Sequence, residues 1–543
     1  MTESIPWGRL PNISRTMIEY TRGNRDVISL VGGDWTETGV RKSALERRTR
    51  MQRLPDLGDA LREGYKDVKI PEAVHSNLEL LNDPKTVCIV TGQQVGIFGG
   101  PLFTYYKALS SIILSRKFEK EIGRPVVPVF WMETADADFG EINRIAFPPY
   151  IQSTHLSVYT PRDLAAGISV SYHKLTEEID EVRSDLVNWL SDLPHGKPLI
   201  NIVKEAYQPG KHISQSFREI MTAYLGDIGL VMIDPLHRSM IERSAGFWEV
   251  ALEKPEKLNQ AFNIASRELK NNRLPLQVRL RDDALPILHI DENGIRKRVI
   301  GLSEKWKIGP DGDEFDDDEL RRIARDKPAS LTPSVLLRPL LQDWLLPTWI
   351  YVAGPAEIAY QAQIGRCYDF LNIPRPLVAP RMSVTLVVPA ARRLLTRHKW
   401  TVDDVLGGQE ILLRSKGTQD SMEALFDGGA EHLRGWLERI ERACDEAAVN
   451  SSAEIDVAGR KLIYQWDKLK RITLNKLIER NRVRLEHAEK VSDMILPDGM
   501  LQERHDNVLY YLAAYGTELG NILAAETNLF EPSHRIIDLE SAG

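Results

Sequence analysis

The sequence predicts a doubly wound α/β core followed by an α-helical hairpin domain, and three observations support this prediction. Short, nearly continuous apolar runs recur between residues 87 and 352, as in strands of a parallel sheet that is covered on both faces. Amphipathic stretches with helical spacing lie between these runs, which is typical of strand–helix alternation. After residue 392 the composition shifts to Glu, Arg, Lys, Leu and Ala with one narrow apolar stripe.

The core is predicted over residues 1–390. Its clearest strands are expected at 87–90, 126–131, 230–233 and 349–352, with amphipathic helices at 102–116 and 213–224. The gaps before the third and fourth strands are too long for simple crossovers, because most connections in compact domains are short. We therefore expect inserted subdomains near 150–210 and 240–335.

The helical domain is predicted over residues 391–497. Two apolar stripes step by three or four residues and are separated by Asn450 and two serines that can cap a new helix. The first stripe contains Leu433, Trp436, Ile440, Ala443 and Ala447, and the second contains Leu462, Trp466, Leu469, Ile472, Leu477, Val483, Ala488 and Val491. A coiled-coil-like hairpin is the interpretation, and a helical face packed wholly on its own core is the alternative. Residues 498–543 are predicted to form one further helix over 501–523 and a tail that returns to the core.

Composition and charge exclude several classes of protein. The chain has 543 residues, with 70 Lys+Arg against 77 Asp+Glu and a net charge of −7, so the surface as a whole is not expected to attract nucleic acid or an anionic membrane. Its three cysteines form no CxxC pair, and no uncharged apolar stretch reaches 18 residues. We therefore expect a cytoplasmic protein without a disulfide framework or membrane span.

No metal site is expected. The scattered histidines form no HExxH motif, and the cysteines offer no zinc-ligand spacing. The acidic segment 311–319 lacks the glycine and the twelfth-position acid of an EF-hand loop, so it is interpreted as a solvated loop.

The strongest candidate site is a glycine-rich loop between the first core strand and the helix after Pro101. Glycines let a backbone approach a ligand closely, and the N-terminus of a helix offers N–H groups to a phosphate or carboxylate. A tight strand–helix connection is the alternative interpretation. The candidate residues in and after this loop are Gln93, Gln94, Gly96, Gly99, Gly100 and Lys107.

Two further groups of polar residues are expected at the same edge of the sheet, because ligands of open parallel sheets bind beyond the carboxyl ends of strands. Acidic residues follow the second strand, where they could hold an amine or sugar hydroxyls, or form a solvated turn instead. Glu357 lies in the first turn of the helix after the fourth strand, where a purely structural role is also available. The candidates in these groups are Glu133, Asp136, Asp138, Arg338, Glu357, Tyr360 and Arg381. Three converging strand-end loops predict an active-site cleft.

These motifs together resemble the bacillithiol biosynthesis cysteine-adding enzyme family, the cysteine ligases that act last in that pathway. The resemblance extends over nearly the whole chain. Its carriers are Thr91-Gly-Gln-Gln94, Gly99-Gly-Pro101, Tyr106-Lys107, Pro128-Val-Phe-Trp131, Asp138-Phe139, Glu141-Ile-Asn143, Leu337-Arg-Pro339, Gln342-Asp343, Gly354-Pro355, Glu357-Ile-Ala-Tyr360, Pro380-Arg381, Leu501-Gln-Glu-Arg504, Asn507 and Tyr510-Tyr511.

The resemblance implies a Rossmann-like core with two connecting insertions, as in class I aminoacyl-tRNA synthetase-type ligases, and a coiled coil that supports a homodimer. The implied reaction joins the carboxyl group of L-cysteine to the amine of glucosaminyl malate, with ATP as the expected activating cosubstrate. Catalytic roles are then expected for Gln93, Lys107, Asp136 and Asp138. The resemblance also suggests a nucleotide pocket at Arg504, Asn507 and Tyr510.

The chain departs from the family pattern at three positions. Ala135 and Ala137 stand where an acidic residue and a histidine are expected, and Ser334 stands in place of an asparagine. The general base is therefore not identified by the motif. Two alternatives to the bacillithiol reaction stay open: a diverged dimeric binding or scaffold protein, and an α/β ligase that uses a different amine or acid.

Overall fold

The fold is taken from a computed structural model. It describes residues 3–51, 54–148, 156–162, 167–280, 284–302, 305–309, 312, 314–408, 412, 418–479 and 482–539. The predicted solvated loop at 311–319 begins outside these residues, since positions 310, 311 and 313 are not described. Part of the first predicted insertion, at 149–155 and 163–166, also lies outside them.

A five-stranded parallel sheet forms the core. Its strands are β1 (Val87–Gln94), β2 (Val126–Glu133), β3 (Val231–Ile233), β4 (Thr348–Ala353) and β5 (Leu377–Pro380), in the spatial order β5-β4-β1-β2-β3. The α/β prediction is confirmed, and the four predicted strands all belong to this sheet. The fifth strand was not predicted, because prolines at 376 and 380 bound its apolar run and proline is uncommon within central strands. The connections from β1 run to β2 and β3 on one side, while β4 and β5 lie on its other side. Ligands of open parallel sheets commonly bind at such a switch point, beyond the carboxyl ends of the two strands that border it, which here are β1 and β4.

Helices surround the sheet, and the strands Glu3–Ile5, His534–Asp538 and Ser383–Val387 form a separate three-stranded sheet in that order. The helix after the glycine-rich loop is Leu102–Ile122, and it directly follows Pro101. Gly123 ends it with a positive φ of 62°. The strand Glu3–Ile5 pairs antiparallel with the strand His534–Asp538. The other helices up to residue 371 are Arg15–Thr21, Arg25–Val31, Thr38–Arg50, Leu57–Glu63, Glu72–Leu80, Ile179–Leu190, Gly196–Ala206, Ile213–Leu225, Arg238–Ala251, Pro255–Asn271, Asp317–Asp326, Arg338–Leu345, Pro355–Gln361 and Gly365–Leu371.

The long connections between core strands contain small antiparallel sheets. Arg144–Ala146 pairs with Leu156–Val158 after β2. A five-stranded sheet lies between β3 and β4, with strands Ala284–Ile290, Arg296–Leu302, Lys305–Ile308, Glu314–Phe315 and Leu331–Pro333. This second sheet is important for the site because Arg296 begins one of its strands.

The described chain divides into two compact units. One contains Met1–Thr385 and Leu501–Ile537, and the other contains Leu386–Met500. The second unit is helical, with Pro389–His398, Val402–Leu406, Thr418–Glu446, Ser452–Glu479 and Arg482–Ile495, while the strand Ser383–Val387 precedes it.

The two long helices form an antiparallel hairpin. Trp466 donates its indole N–H to the Phe426 carbonyl at 2.8 Å, and Ser452 donates to Glu441 at 2.6 Å near the turn. Much of the predicted apolar stripe stays exposed, including Trp436 at 64% and Leu469 at 50%. The hairpin therefore does not bury this stripe within the described chain.

The single helix predicted over 501–523 is wrong. The segment forms three short helices, Gln502–His505, Val508–Tyr515 and Glu518–Glu526. Asp506 and Asn507 adopt extended backbone angles, and the Asn507 side chain caps the second helix by accepting from the Leu509 N–H. Gly516 ends that helix with a φ of 62°. Apolar periodicity alone did not reveal these two breaks, since capping depends on local side-chain hydrogen bonds.

Candidate active site

A cleft of about 390 Å³ lies at the carboxyl ends of β1, β2 and β4. Ten of the sixteen candidate residues line it: Gln93, Gln94, Lys107, Glu133, Asp136, Arg338, Glu357, Tyr360, Arg381 and Arg504. The polar residues that were expected to converge from separate strand-end loops therefore do meet in one space. Their roles toward a ligand stay a prediction.

Lys107 is buried in the wall of the cleft, with 1% of its side chain exposed. It lies on the helix after the glycine-rich loop and donates to the Gly92 carbonyl and to Gln93 Oε1, the latter at 3.1 Å. Its Nζ is 2.5 Å from Glu357 Oε2. Burial lowers the pKa of Lys107 to about 8, against the attraction of Glu357. Lys107 thus joins the ends of β1 and β4 through a buried ion pair.

Glu357 uses both carboxylate oxygens within the protein. Oε1 accepts from the hydroxyls of Tyr351 at 2.5 Å and Tyr360 at 3.2 Å, while Oε2 accepts from the Gly354 N–H at 2.7 Å and pairs with Lys107. Burial opposes its ionisation, but the charge and hydrogen bonds of Lys107 outweigh burial and hold the pKa of Glu357 below its ordinary value. Glu357 is therefore an ionised organiser of the cleft wall.

Arg338 connects this cluster to Glu133 at the end of β2. Its guanidinium donates to Tyr360 at 2.7 Å and to Gln342 at 3.0 Å, and its Nε is 3.4 Å from Glu133 Oε2. Trp131 donates its indole N–H to the same oxygen of Glu133 at 3.3 Å. Burial raises the pKa of Glu133, although the Arg338 charge opposes this shift.

Asp136 is held from both sides on the loop after β2. Gln94 donates to Oδ2 at 2.6 Å, and Arg296 donates to Oδ1 at 3.0 Å. The Ala137 N–H also donates to Oδ1, at 2.8 Å. Arg296 was missed by the sequence analysis, because it begins a strand of the inserted sheet, 160 residues from its partner.

Arg381 reaches the cleft from the turn after β5 and is fixed by the C-terminal segment. It donates to Glu503 through two nitrogens at 3.0 and 2.6 Å, and both side chains are almost fully buried. Arg504 is exposed and lies over the Phe103 ring, 5.8 Å from its centre. Glu503 belongs to the motif Leu501-Gln-Glu-Arg504, but its contact with Arg381 is visible only in the folded structure.

Asp138 and the three candidate glycines do not line the cleft. Asp138 is exposed at the start of a short turn. The loop N–H groups bond within the protein: Gly96 to Gln94, Phe98 to the Tyr207 hydroxyl, and both Gly99 and Gly100 to carbonyls of the loop itself. A Cβ at Gly96 would come within 2.8 Å of the Gly100 Cα, so glycine is required there for close packing. These contacts favour the tight connection over an anion-binding loop.

Asn507 and Tyr510, the other two residues suggested for a nucleotide pocket, also have internal contacts. Asn507 donates to the carbonyls of Phe98 and Gly100, and it is 2% exposed. Tyr510 packs its ring against Phe147 and Tyr511. Of the three suggested residues, Arg504 alone lines the cleft.

The described residues offer no group of three or more His, Cys, Asp or Glu side chains arranged to hold a metal ion. None of the helices in the described part of the chain combines the length and apolar character needed to cross a bilayer. The side chains that line the cleft include charged groups, amides and carboxylates. Four of the cations that line it lie close to carboxylates, which suits the binding of acidic groups and the positioning of an amine: Lys107, Arg296, Arg338 and Arg381.

Two family models together match almost the whole chain. The description "Bacillithiol biosynthesis BshC, N-terminal Rossmann-like domain" matches residues 3–382, and "Bacillithiol biosynthesis BshC, C-terminal coiled-coil domain" matches residues 384–539. The chain belongs to the bacillithiol biosynthesis BshC family. The family expected from the sequence motifs is confirmed, and so are the Rossmann-like core and the coiled-coil domain expected of a BshC protein.

Curated relatives span the same length. A protein of Salinibacter ruber, named "Putative cysteine ligase BshC", is 30% identical over 545 residues and covers 98% of this chain and 96% of its own. Proteins with the same name from Natranaerobius thermophilus and Staphylococcus aureus are 29% and 26% identical, over 93% and 85% of this chain. The alignment with the Salinibacter ruber protein therefore includes the hairpin as well as the core.

Proposed function

We propose that the cleft joins the carboxyl group of L-cysteine to the amine of glucosaminyl malate in the last step of bacillithiol biosynthesis. The observation that carries this proposal is the joint lining of one cleft by Lys107, Glu357, Arg338, Glu133 and the Asp136–Arg296 pair. The family places the chain in bacillithiol biosynthesis, and its relatives are named as cysteine ligases.

The charges of the cleft suit both proposed substrates. Glucosaminyl malate carries carboxylates, for which Arg296 and the exposed Arg504 offer guanidinium groups that bind carboxylates with two parallel hydrogen bonds. Its ammonium group and that of cysteine require acidic partners, which Glu133 and Asp136 provide. The roles of Gln93 and Gln94 follow from their contacts, since Gln93 accepts from Lys107 and Gln94 orients Asp136.

Amide formation also requires an activated carboxyl group, because a carboxylate resists attack by an amine. We include ATP as the activating cosubstrate in the proposal, and the cationic lining of the cleft is compatible with its phosphates. The predicted nucleotide role of Arg504, Asn507 and Tyr510 stays part of the proposal, and Asn507 in addition holds the glycine-rich loop through the carbonyls of Phe98 and Gly100. The proposal places the reaction in the cytoplasm.

The test is a reconstituted reaction. Purified protein is incubated with L-cysteine, glucosaminyl malate and ATP, and bacillithiol is measured by mass spectrometry. We expect product with the wild type and a rate reduced by about 10- to 100-fold in Arg296→Gln, since a hydrogen bond to a charged group contributes about 1.5–3 kcal/mol. Arg238→Gln, an exposed position outside the cleft lining, is the matched control.

Failure of this test would have a specific meaning. Binding of both substrates without any product would contradict the ligase and favour the dimeric binding protein considered from the sequence. Product from other amines or acids, but not from this pair, would favour an α/β ligase of different specificity.

A further inference from the structure

The carboxylates that line the cleft differ in whether their oxygens are already occupied. Four such side chains belong to the lining: Glu133, Asp136, Glu141 and Glu357. A general base must offer an oxygen that can reach the proton of the substrate. The hydrogen bonds that each carboxylate already accepts therefore show which of the four could act as a general base.

In Asp136 and Glu357, both carboxylate oxygens already accept hydrogen bonds or pair with a cation of the protein. Asp136 accepts from Gln94 on one oxygen and from Arg296 and a backbone N–H on the other. Glu357 accepts two tyrosine hydroxyls on one oxygen, and a backbone N–H and Lys107 contact the other. For Glu357, Lys107 and these hydrogen bonds outweigh burial and hold the pKa below its ordinary value, which makes this carboxylate a weaker proton acceptor.

Glu141 is exposed to solvent at the end of a short turn, where water competes for its oxygens. Glu133 differs from all three. It ends β2 and is partly buried, with 21% of its side chain exposed, and both of its contacts, from Arg338 and Trp131, reach Oε2. None of the described residues donates a hydrogen bond to Oε1.

We propose that Glu133 is the general base that takes the proton from the attacking amine. The inference rests on the proposed ligation, and it deepens it by assigning the base that the sequence motif left unidentified. Arg338 and Trp131 hold the carboxylate through Oε2, while Oε1 receives the proton.

The surroundings of Glu133 support this role. Burial raises its pKa, and the nearby Asp136 acts in the same direction, whereas Arg338, Arg296 and the Trp131 N–H act against it. A carboxyl group with a raised pKa has a stronger affinity for a proton than an exposed one, so transfer from an ammonium group costs less free energy.

The proposed step transfers one proton to Glu133 and replaces the carbon–oxygen bond of the activated cysteine with a carbon–nitrogen bond. The ammonium nitrogen of the sugar gives one proton to Glu133 Oε1, and its freed electron pair attacks the activated carbonyl carbon of cysteine. When the tetrahedral adduct collapses, the bond to the phosphate leaving group breaks and its oxygen keeps the electron pair. The second nitrogen proton leaves with that phosphate oxygen or to water, and the product is the neutral amide.

The experiment compares the pH dependence of kcat for the full-length wild type, Glu133→Gln and Glu133→Asp. We expect Glu133→Gln to lower kcat by about 10²- to 10⁴-fold and to remove the acid limb of the profile, a larger effect than any rise in the KM for the amine. Glu133→Asp keeps a carboxylate beside Arg338, so it should retain the acid limb at a reduced kcat. Glu177→Gln, an exposed residue outside the lining, is the matched control and should behave as the wild type.

The outcomes separate the two proposals. A wild type that forms product while Glu133→Gln keeps its kcat and its acid limb overturns the assignment of Glu133 and leaves the ligation intact. A wild type that forms no product overturns both. If Glu133→Gln fails to fold in a thermal melt, Glu133→Asp decides, and an unchanged kcat in that variant overturns the assignment.

Discussion

The buried ion pair between Lys107 and Glu357 organises the cleft at the scale of single residues. Lys107 is charged in a place where water cannot solvate it, and Glu357 collects four donors around one carboxylate. Neither side chain tolerates the loss of the other, because an unpaired buried charge is costly.

Lys107→Met removes the ammonium group and keeps the length of the side chain. We expect the free energy of unfolding to fall by about 3–5 kcal/mol, since Glu357 is left buried without its cation. The double variant Lys107→Met/Glu357→Gln should lose less than the sum of the two single losses. Denaturant titrations of all four proteins measure this coupling, and strictly additive losses would contradict it.

The sequence allows part of this residue-scale structure to be predicted. Gln94, Glu133 and Glu357 follow core strands directly, so the topology of a parallel sheet brings them to one edge. Arg296 could not be predicted, because its position depends on how an inserted sheet folds back over the loop of Asp136. The glycine-rich loop was visible in the sequence. Whether it binds a ligand or only packs within the protein could not be predicted, because its contacts with Tyr207 and Asn507 come from distant parts of the chain.

At the scale of elements, the C-terminal segment completes the wall of the cleft. Gln502–His505 carries Glu503 to Arg381, and the strand His534–Asp538 carries His534 beside it. Ser383 donates its single proton to Glu503 Oε2 at 2.8 Å, so His534 Nδ1 must be the donor to Ser383. His534 Nε2 then accepts from Thr385 at 2.8 Å, which defines the neutral tautomer.

This buried histidine makes stability depend on pH. Burial lowers the pKa of His534 to about 4, so the folded protein keeps it neutral while the unfolded chain binds a proton below its ordinary value of 6.5. Stability should therefore fall as the pH drops from the ordinary pKa to the lowered one, by up to about 3 kcal/mol. His534→Gln cannot titrate and should lose this part of the pH dependence in denaturant titrations. Equal pH slopes in the wild type and the variant would refute the assignment.

The core strands could be predicted from the sequence, but the ends of the C-terminal helices could not. The four predicted core strands were recognisable because each is a continuous apolar run that is buried on both faces of the sheet. The break of 501–523 into three helices was not, because the extended angles at Asp506 and Asn507 are fixed by hydrogen bonds to residues near position 100. The capping asparagine was the available local signal.

At the scale of the whole molecule, the exposed stripe on the hairpin supports the predicted homodimer. Large apolar side chains at 436, 462 and 469 are at least half exposed, which is unusual for side chains that repeat along one face. A second copy of the hairpin could cover them as a coiled-coil partner. The homodimer stays a prediction.

Light scattering of the full chain tests the homodimer. We expect a solution mass near twice the chain mass of 61.6 kDa, and a mass near the single chain for Leu462→Glu/Leu469→Glu. Lys461→Glu/Lys468→Glu places two glutamates at adjacent exposed positions, with a larger change of net charge than the test variant, and should stay dimeric. A wild type with the mass of one chain, or a dimeric Leu462→Glu/Leu469→Glu protein, would contradict the prediction.

The central claim is that one cleft activates the carboxyl group of cysteine and joins it to a sugar amine. The most direct measurement supplies cysteine with both carboxyl oxygens labelled with ¹⁸O, together with glucosaminyl malate and ATP, and follows the label by mass spectrometry. We predict bacillithiol that retains one labelled oxygen, with the other in the phosphate or nucleotide released from ATP. Absence of labelled bacillithiol, with both substrates bound, would contradict the account.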